Sequence, residues 1–127
     1  MLQKLGLGVL CIMTSLTTNT YAMESHPLHQ GATIEYELPS NDPQEFVNYM
    51  FWTIEAKCKI ITEDENDDLL VEALAKQGKV NDAPLSKGEV LQITVHPDQI
   101  LKLSADSGAK VKITNLGEHT VKAICST

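Results

Sequence analysis

The last third of the chain sets the tightest limit on its fold. Residues 89–95, 99–105, 110–114 and 119–126 are four short runs in which apolar and polar residues alternate. Between them lie His96-Pro97-Asp98, Asp106-Ser107-Gly108 and Asn115-Leu116-Gly117-Glu118, all residue types that close turns. Strands at a spacing of about ten residues, with turn signals between them, indicate a β-sandwich or barrel. The expected class is therefore all-β: a small antiparallel β-sandwich of immunoglobulin-like size.

The middle of the chain extends this pattern. Ile34, Tyr36 and Leu38 alternate with Thr33, Glu35 and Glu37, which predicts a half-buried strand ended by Pro39-Ser40-Asn41-Asp42-Pro43. Residues 53–61 predict another, with Ile54, Ala56, Cys58 and Ile60 on the inner face. Asp42, Pro43 and Glu45 form a capping box with proline at the first helical position, so one short helix is expected over 43–49. Residues 62–68 hold five carboxylates and are expected as a solvated loop, whereas residues 69–75 fit helix or strand equally well. Lys76-Gln77-Gly78 and Asn81-Asp82-Ala83-Pro84 read as chain breaks.

The N-terminus reads as a cleavable signal peptide over residues 1–22. Lys4 supplies the charged region, residues 5–13 an apolar stretch too short to span a bilayer, and Thr20 and Ala22 the small-residue cleavage site. Leu10 ahead of Cys11 argues against a lipoprotein site. Of 127 residues, 105 remain from Met23, of which residues 23–31 show no periodicity and are expected as a flexible arm before one domain over 32–127. The chain is therefore expected to be exported, periplasmic or secreted.

Two cysteines survive signal removal, and in an oxidising compartment a structural disulfide is the expected state. Cys58 shares its face with Ile54 and Ile60, and Cys125 shares its face with Val121 and Ala123, so both thiols should point into the core.

Charge excludes one class of partner. Residues 23–127 carry seventeen carboxylates and nine lysines, a net charge of −8, and no arginine. A nucleic-acid binder needs a basic footprint and arginine forks, so none is expected. Anionic membrane surfaces are disfavoured for the same reason, and no second apolar run approaches membrane-spanning length.

Phe51-Trp52-Thr53-Ile54 with Cys58-Lys59-Ile60, the stretch from Leu103 to Val111, and Ile113-Thr114-Asn115-Leu116-Gly117 ending in Cys125-Ser126 together resemble a group of small exported β-domain proteins with a cysteine pair, found in intracellular gammaproteobacterial pathogens. The likeness covers most of residues 32–127. It implies a secreted or envelope-located β-rich domain and carries no functional residue over.

Candidate sites are few. Asp64, Asn66 and Asp68 have the opening spacing of a calcium loop, but Leu69 stands where that loop needs glycine and Ala75 where it needs glutamate. A weak, irregular calcium site is all that spacing supports. His26 and His29 are two imidazoles with no carboxylate or cysteine close in sequence, a weak start for a metal site. His96 reads as turn chemistry, and His119 shares the parity of Val121 and reads as a core or rim residue.

Phe46, Tyr49, Phe51 and Trp52 gather most of the aromatic surface into seven residues. As core filler they would supply bulk the rest of the chain lacks, and that is the favoured reading. As an exposed patch, Tyr49, Phe51 and Trp52 would be a surface for a protein or glycan partner. No catalytic motif is visible and no cofactor is expected. The sequence thus points to a non-enzymatic exported binding module, and the resemblance to exported proteins of intracellular pathogens implies a secreted host-interaction factor or a subunit of envelope machinery within that class. The alternative is a small hydrolase or carbohydrate-active enzyme whose site is built from His96 or His119 and loop carboxylates.

Overall fold

The structure, a computed structural model, describes residues 23–127; residues 1–22, which the sequence reads as a signal peptide, lie outside the described residues. Among the described residues eleven strands run in the order β1 (Glu24–Pro27), β2 (Thr33–Leu38), β3 (Gln44–Val47), β4 (Ile54–Ile61), β5 (Asp67–Ala75), β6 (Gln77–Val80), β7 (Ala83–Ser86), β8 (Val90–Val95), β9 (Ile100–Ala105), β10 (Lys110–Asn115) and β11 (Val121–Ser126). They form two sheets, β2-β11-β4-β9-β6-β7 and β1-β3-β10-β5-β8. Every pairing is antiparallel except β1 with β3. This is the expected sandwich.

Alternation decides what each sheet turns inward. Leu38, Ile54, Cys58, Ile60, Leu101, Val121 and Ala123 of the first sheet are buried, as are Phe46, Leu69, Val71, Val95 and Ile113 of the second. Each large aliphatic side chain so buried contributes about 1.5–3 kcal/mol relative to exposure. Opposite faces carry the charges, among them the Lys112–Glu72 pair at 3.2 Å on the outside of the second sheet.

Four local readings change. No helix occurs among the described residues, and the capping-box segment is strand β3. Its backbone pairs with β10 on one side and β1 on the other, and Phe46 and Val47 are buried there. Two ladders of hydrogen bonds and a buried phenyl ring outweigh a local cap, because propensity is a weak prior against tertiary pairing. Residues 67–75 are strand β5, with both faces half or fully covered, which is why their period is ambiguous. Asp67 opens that strand and is only 4% exposed, so the acidic segment is not wholly solvated. Gly78 lies within β6, where a Cβ would collide with the Ser104 carbonyl oxygen, and only the bare backbone fits.

Residues 23–31 also gain order. In β1, His26 stacks on Phe46 at 5.1 Å and meets the Tyr36 ring at 5.4 Å, while its Nε2 lies 2.8 Å from Gln44 Oε1. This cluster seals the side of the sandwich between β2 and β3. At the far edge, Asn81 and Asp82 both adopt positive φ, the conformation of the tight two-residue hairpin that joins β6 to β7.

Cys58 and Cys125 are bonded. The bridge links directly opposed residues of the neighbouring strands β4 and β11, with Cα atoms 3.9 Å apart. It therefore clips one sheet internally and does not tie the two sheets together. Closing a loop of sequence separation 67 should stabilise the fold by about 4 kcal/mol in the chain-entropy picture. A disulfide of this kind is consistent with an oxidising compartment.

Candidate functional site

Strand β10 lies between β3 and β5 in the second sheet, and a fully buried asparagine sits near each of its ends. Asn48, beside its start, comes directly after the last residue of β3. Its side-chain amide donates to the carbonyl oxygens of Trp52 and Ala105, both at 2.9 Å, and of Asp106 at 3.2 Å. Its side-chain oxygen accepts from the Met50 amide at 2.9 Å, the two-residue reach of an Asx turn. Its backbone is held as well, because Asn48 N donates to Ala109 O and Gly108 N donates to Asn48 O. Ser107 Oγ donates to Met50 O at 2.6 Å. The whole loop 48–53 is thus fixed from below.

What that loop presents is aromatic. Phe51 is 93% exposed, Tyr49 68% and Trp52 51%, while Phe46 at the end of the same stretch is buried. The favoured core reading of the cluster therefore holds for Phe46 and fails for the other three. The reason is the turn: Asn48 reverses the chain before Tyr49, so the strand parity that buries Phe46 stops there. Trp52 is tethered sideways, its Nε1 donating to Gln30 Oε1 at 3.2 Å. Rings held out on a loop whose backbone is already ordered lose little entropy when covered, which favours their use in recognition.

The other end has the same anchor and different chemistry. Asn115 is fully buried, and its amide donates to Leu38 O at 2.8 Å and His119 O at 2.7 Å. Its side-chain oxygen accepts from Gly117 N, and its backbone oxygen accepts from Asn41 N. A Cβ at Gly117 would strike the Asp67 carboxylate and force it to shift. Asp67 accepts from Thr62 Oγ1 at 2.7 Å. Burial, with the neighbouring Asp64 adding to it, pushes the Asp67 carboxyl above its ordinary range, and the Thr62 bond opposes the shift. His119 is an exposed rim residue, not core. Its Nδ1 lies 2.9 Å from Asp64 Oδ1, and that bond together with the charges of Asp64, Glu63 and Glu118 raises its pKa.

Charge separates the two ends. Loops 39–43, 62–68, 96–99 and 115–120 hold eight of the seventeen carboxylates of residues 23–127 and none of the nine lysines. The remaining nine carboxylates and nine lysines cancel, so the net charge of −8 resides at the Asn115 end.

The calcium candidates share a hollow but not a ligand set. Asp64, Asn66 and Asp68 line one open concavity with Glu118 and His119, yet Asp64 faces His119 and Asp68 accepts from Thr94 Oγ1. Among the described residues no three His, Cys, Asp or Glu side chains form a metal-binding set. His26 belongs to the aromatic seal, whereas His29 lies beyond β1, where its carbonyl accepts from Thr127 Oγ1. His96 has its backbone amide bonded to Gln99 Oε1 within its turn, while its ring Nδ1 lies 3.2 Å from the Glu65 carbonyl oxygen of the acidic loop. His119 with Asp64 is an oriented base, but among the described residues no hydroxyl or thiol is bonded to its ring.

Two features escape a reading of the sequence alone. Asn48 sits inside the segment whose capping box predicts a helix, although asparagine is itself a turn-forming residue whose side chain accepts the N–H two residues on. The second feature is an apolar cavity of about 110 Å³ between the sheets. It exists because alanines and a glycine occupy inner-face positions, among them Ala56, Ala73, Ala105, Ala123 and Gly78. Leaving such a volume empty costs on the order of 2–3 kcal/mol. Comparison with protein-family models, with curated protein sequences and with solved structures finds no match to this chain.

Proposed function

We propose that the chain is an exported, non-enzymatic binding module that engages a protein or glycan partner through Tyr49, Phe51 and Trp52. The observation that carries this reading is the exposure of three large aromatic side chains on a backbone pinned by Asn48. Aromatic rings supply stacking faces for sugars and anchors for protein pockets. The likeness to exported proteins of intracellular pathogens supports a secreted host-interaction factor or an envelope-machinery subunit, with the signal peptide removed before Met23. A small hydrolase is the second reading, and the His119–Asp64 pair is the observation in its favour.

Fluorescence tests the first reading directly, because Trp52 is the single tryptophan. Free protein should show a red-shifted emission that iodide quenches, and titration with a panel of soluble oligosaccharides and candidate envelope or host proteins should protect it. Phe51→Ala and Trp52→Ala should keep the melting temperature within a few degrees, since exposed sites usually change stability by less than about 0.5 kcal/mol. Both should bind the protecting partner at least about tenfold more weakly, the hot-spot scale for an aromatic anchor. A Trp52 that iodide cannot reach, or alanine variants that bind as well as the parent, would overturn the proposal.

A further inference from the structure

We propose that strand β8 is a self-association edge: two copies of this chain pair their β8 strands antiparallel about a two-fold axis at Gln92. The pairing joins their second sheets into one continuous sheet. Strands β10 and β5 lie between β8 and β3, which leads into the aromatic loop, so the pairing stands without the reading given to that loop.

Two open sheets have an edge strand at each end, and here all but one are guarded. Strands β1 and β7 are 4 residues long, and each carries a proline, Pro27 and Pro84. Strand β2 is longer, but Glu35 and Glu37 line it, and its Tyr36 ring meets His26 of β1. Shortness, proline and charge are what keep a sheet edge from pairing with another chain. Strand β8 has none of them. Its 6 residues, Val90-Leu91-Gln92-Ile93-Thr94-Val95, include no proline and no charge, and Val90 is 55% exposed.

The bonds around β5 show which groups of β8 are open. Ala73 N donates to Glu89 O and Gly88 N donates to Ala73 O, whereas Asp68 O accepts from Leu116 N at the end of β10. Odd-numbered residues of β5 therefore turn their backbone groups to β8, and even-numbered ones turn theirs to β10. Leu91, Ile93 and Val95 stand opposite the odd residues and bond to them. Val90, Gln92 and Thr94 thus aim their N–H and C=O groups outward. Among the described residues no strand or loop covers them. The open stretch stops at His96, whose N–H is taken by Gln99 Oε1.

These facts fix the register. Directly opposed residues of an antiparallel pair share a face, and Leu91, Ile93 and Val95 pack inward. Inner residues of one copy must therefore meet inner residues of the other. With Gln92 opposite Gln92, Val90 meets Thr94 and Leu91 meets Ile93, and every outward N–H and C=O of the stretch finds a partner. Moving the axis to Ile93 would set Val90 against His96, whose N–H is already held.

Charge favours a second copy as the occupant. Beyond Val95 the strand runs into the acidic end, where the His96 ring meets the Glu65 carbonyl and Asp98 follows. Ahead of Val90 stand Lys87 and, beside it, Lys76, whose carbonyl accepts from Lys87 N. Among the described residues neither ammonium is paired with a carboxylate. Glu89 lies there too, its carboxylate held by the Ser86 amide. Continuing the register sets Lys87 of each copy opposite Pro97 of the other, next to Asp98. The two acidic ends are then kept about 20 Å apart, beyond a Debye length at 0.1 M salt. Parallel pairing would bring those ends together.

Sedimentation of the exported, disulfide-bonded protein tests this. From about 1 μM to about 1 mM it should pass reversibly from monomer to dimer, because a single strand pair is a small interface of weak affinity. Gln92 is exposed, so Gln92→Lys and Gln92→Glu should both fold. Each should weaken association at least about tenfold, since like charges then meet across the axis. Mixed in equal amounts, the two variants should associate with each other. Should either misfold, Gln92→Pro removes only an outward N–H and should also give a monomer. Amide exchange at Val90, Gln92 and Thr94 should slow as the parent is concentrated.

A parent that stays monomeric throughout would overturn the proposal and leave the edge to a foreign strand. A Gln92→Lys dimer as tight as the parent, or a mixture of the charged variants that remains monomeric, would overturn it as well. So would a dimer that Trp52→Ala dissociates and whose protection falls on residues 48–53, because the copies would then meet through the aromatic loop.

Discussion

At one end of the sandwich a buried asparagine holds out three aromatic rings; at the other, a buried asparagine holds a loop of carboxylates and a histidine. The anchors are chemically equivalent. Each accepts a backbone N–H two residues ahead and donates to backbone carbonyl oxygens of separate segments. The difference lies in the four residues after each anchor, Tyr-Met-Phe-Trp in one case and Leu-Gly-Glu-His in the other. A fold can therefore supply rigid loops at both ends and leave their chemistry free to diverge. Strand β10 is about 20 Å long, twice the Debye length at 0.1 M salt, so the carboxylates at one end are screened from a partner docking at the other.

The largest expected effect touches both ends equally. Cys58 lies mid-strand in β4, so replacing both Cys58 and Cys125 with serine should cost about 4 kcal/mol by denaturant titration. Amide exchange should accelerate at both ends to the same degree. Equal melting temperatures with and without reductant would show that the bridge contributes nothing to the frame the two loops share.

Next in size are the anchors themselves. Asn48→Ala and Asn115→Ala each strand backbone carbonyls and an N–H in a buried site, and each should cost about 2–3 kcal/mol. The effects should differ in place: Asn48→Ala should lower the fluorescence anisotropy of Trp52, and Asn115→Ala should leave it unchanged. If Asn115→Ala loosened Trp52 as much as Asn48→Ala does, the two ends would be coupled and the comparison would fail.

Much of this frame is legible in residue order. The alternation of Ile34, Tyr36 and Leu38, and of Ile54, Ala56, Cys58 and Ile60, indicates which faces are buried, because a period of two has one structural meaning when one face is wet. Strand β5 is ambiguous because both its faces are covered, so Leu70 and Leu74 blur the period that Leu69, Val71 and Ala73 set. Strand β3 resembles a helix start because a capping box reports on local hydrogen bonds only, while its pairing partner β10 lies more than sixty residues away. Tyr49, Phe51 and Trp52 cannot be placed by parity, since the turn at Asn48 resets the phase. The cavity is illegible because single alanines on separate strands add to one space only after the strands are assembled.

The smallest effect concerns the acidic end alone. His119 gains its bond to Asp64 only in the folded state, so its pKa rises above the unfolded value of about 6.5. A histidine with a raised folded pKa lends stability that is fully present below about pH 6.5 and is lost as pH climbs through the folded value. Asp67, raised mainly by burial, acts in the same direction at lower pH: its protonated form is the better tolerated one, and stability falls as it ionises. The imidazole is exposed, so the stability term is small, and proton NMR of the ring is the better measurement. In the parent the His119 titration should sit above pH 6.5, and Asp64→Asn should move it down towards that value. The stability difference between the parent and His119→Gln should be greater at pH 5.5 than at pH 8.5, while Trp52 emission tracks neither titration. A His119 pKa that Asp64→Asn leaves in place would mean the 2.9 Å contact is not the source of the shift. The acidic end would then differ from the aromatic end by its carboxylates, Asp67 among them, and not by a pH-sensitive His119 contact.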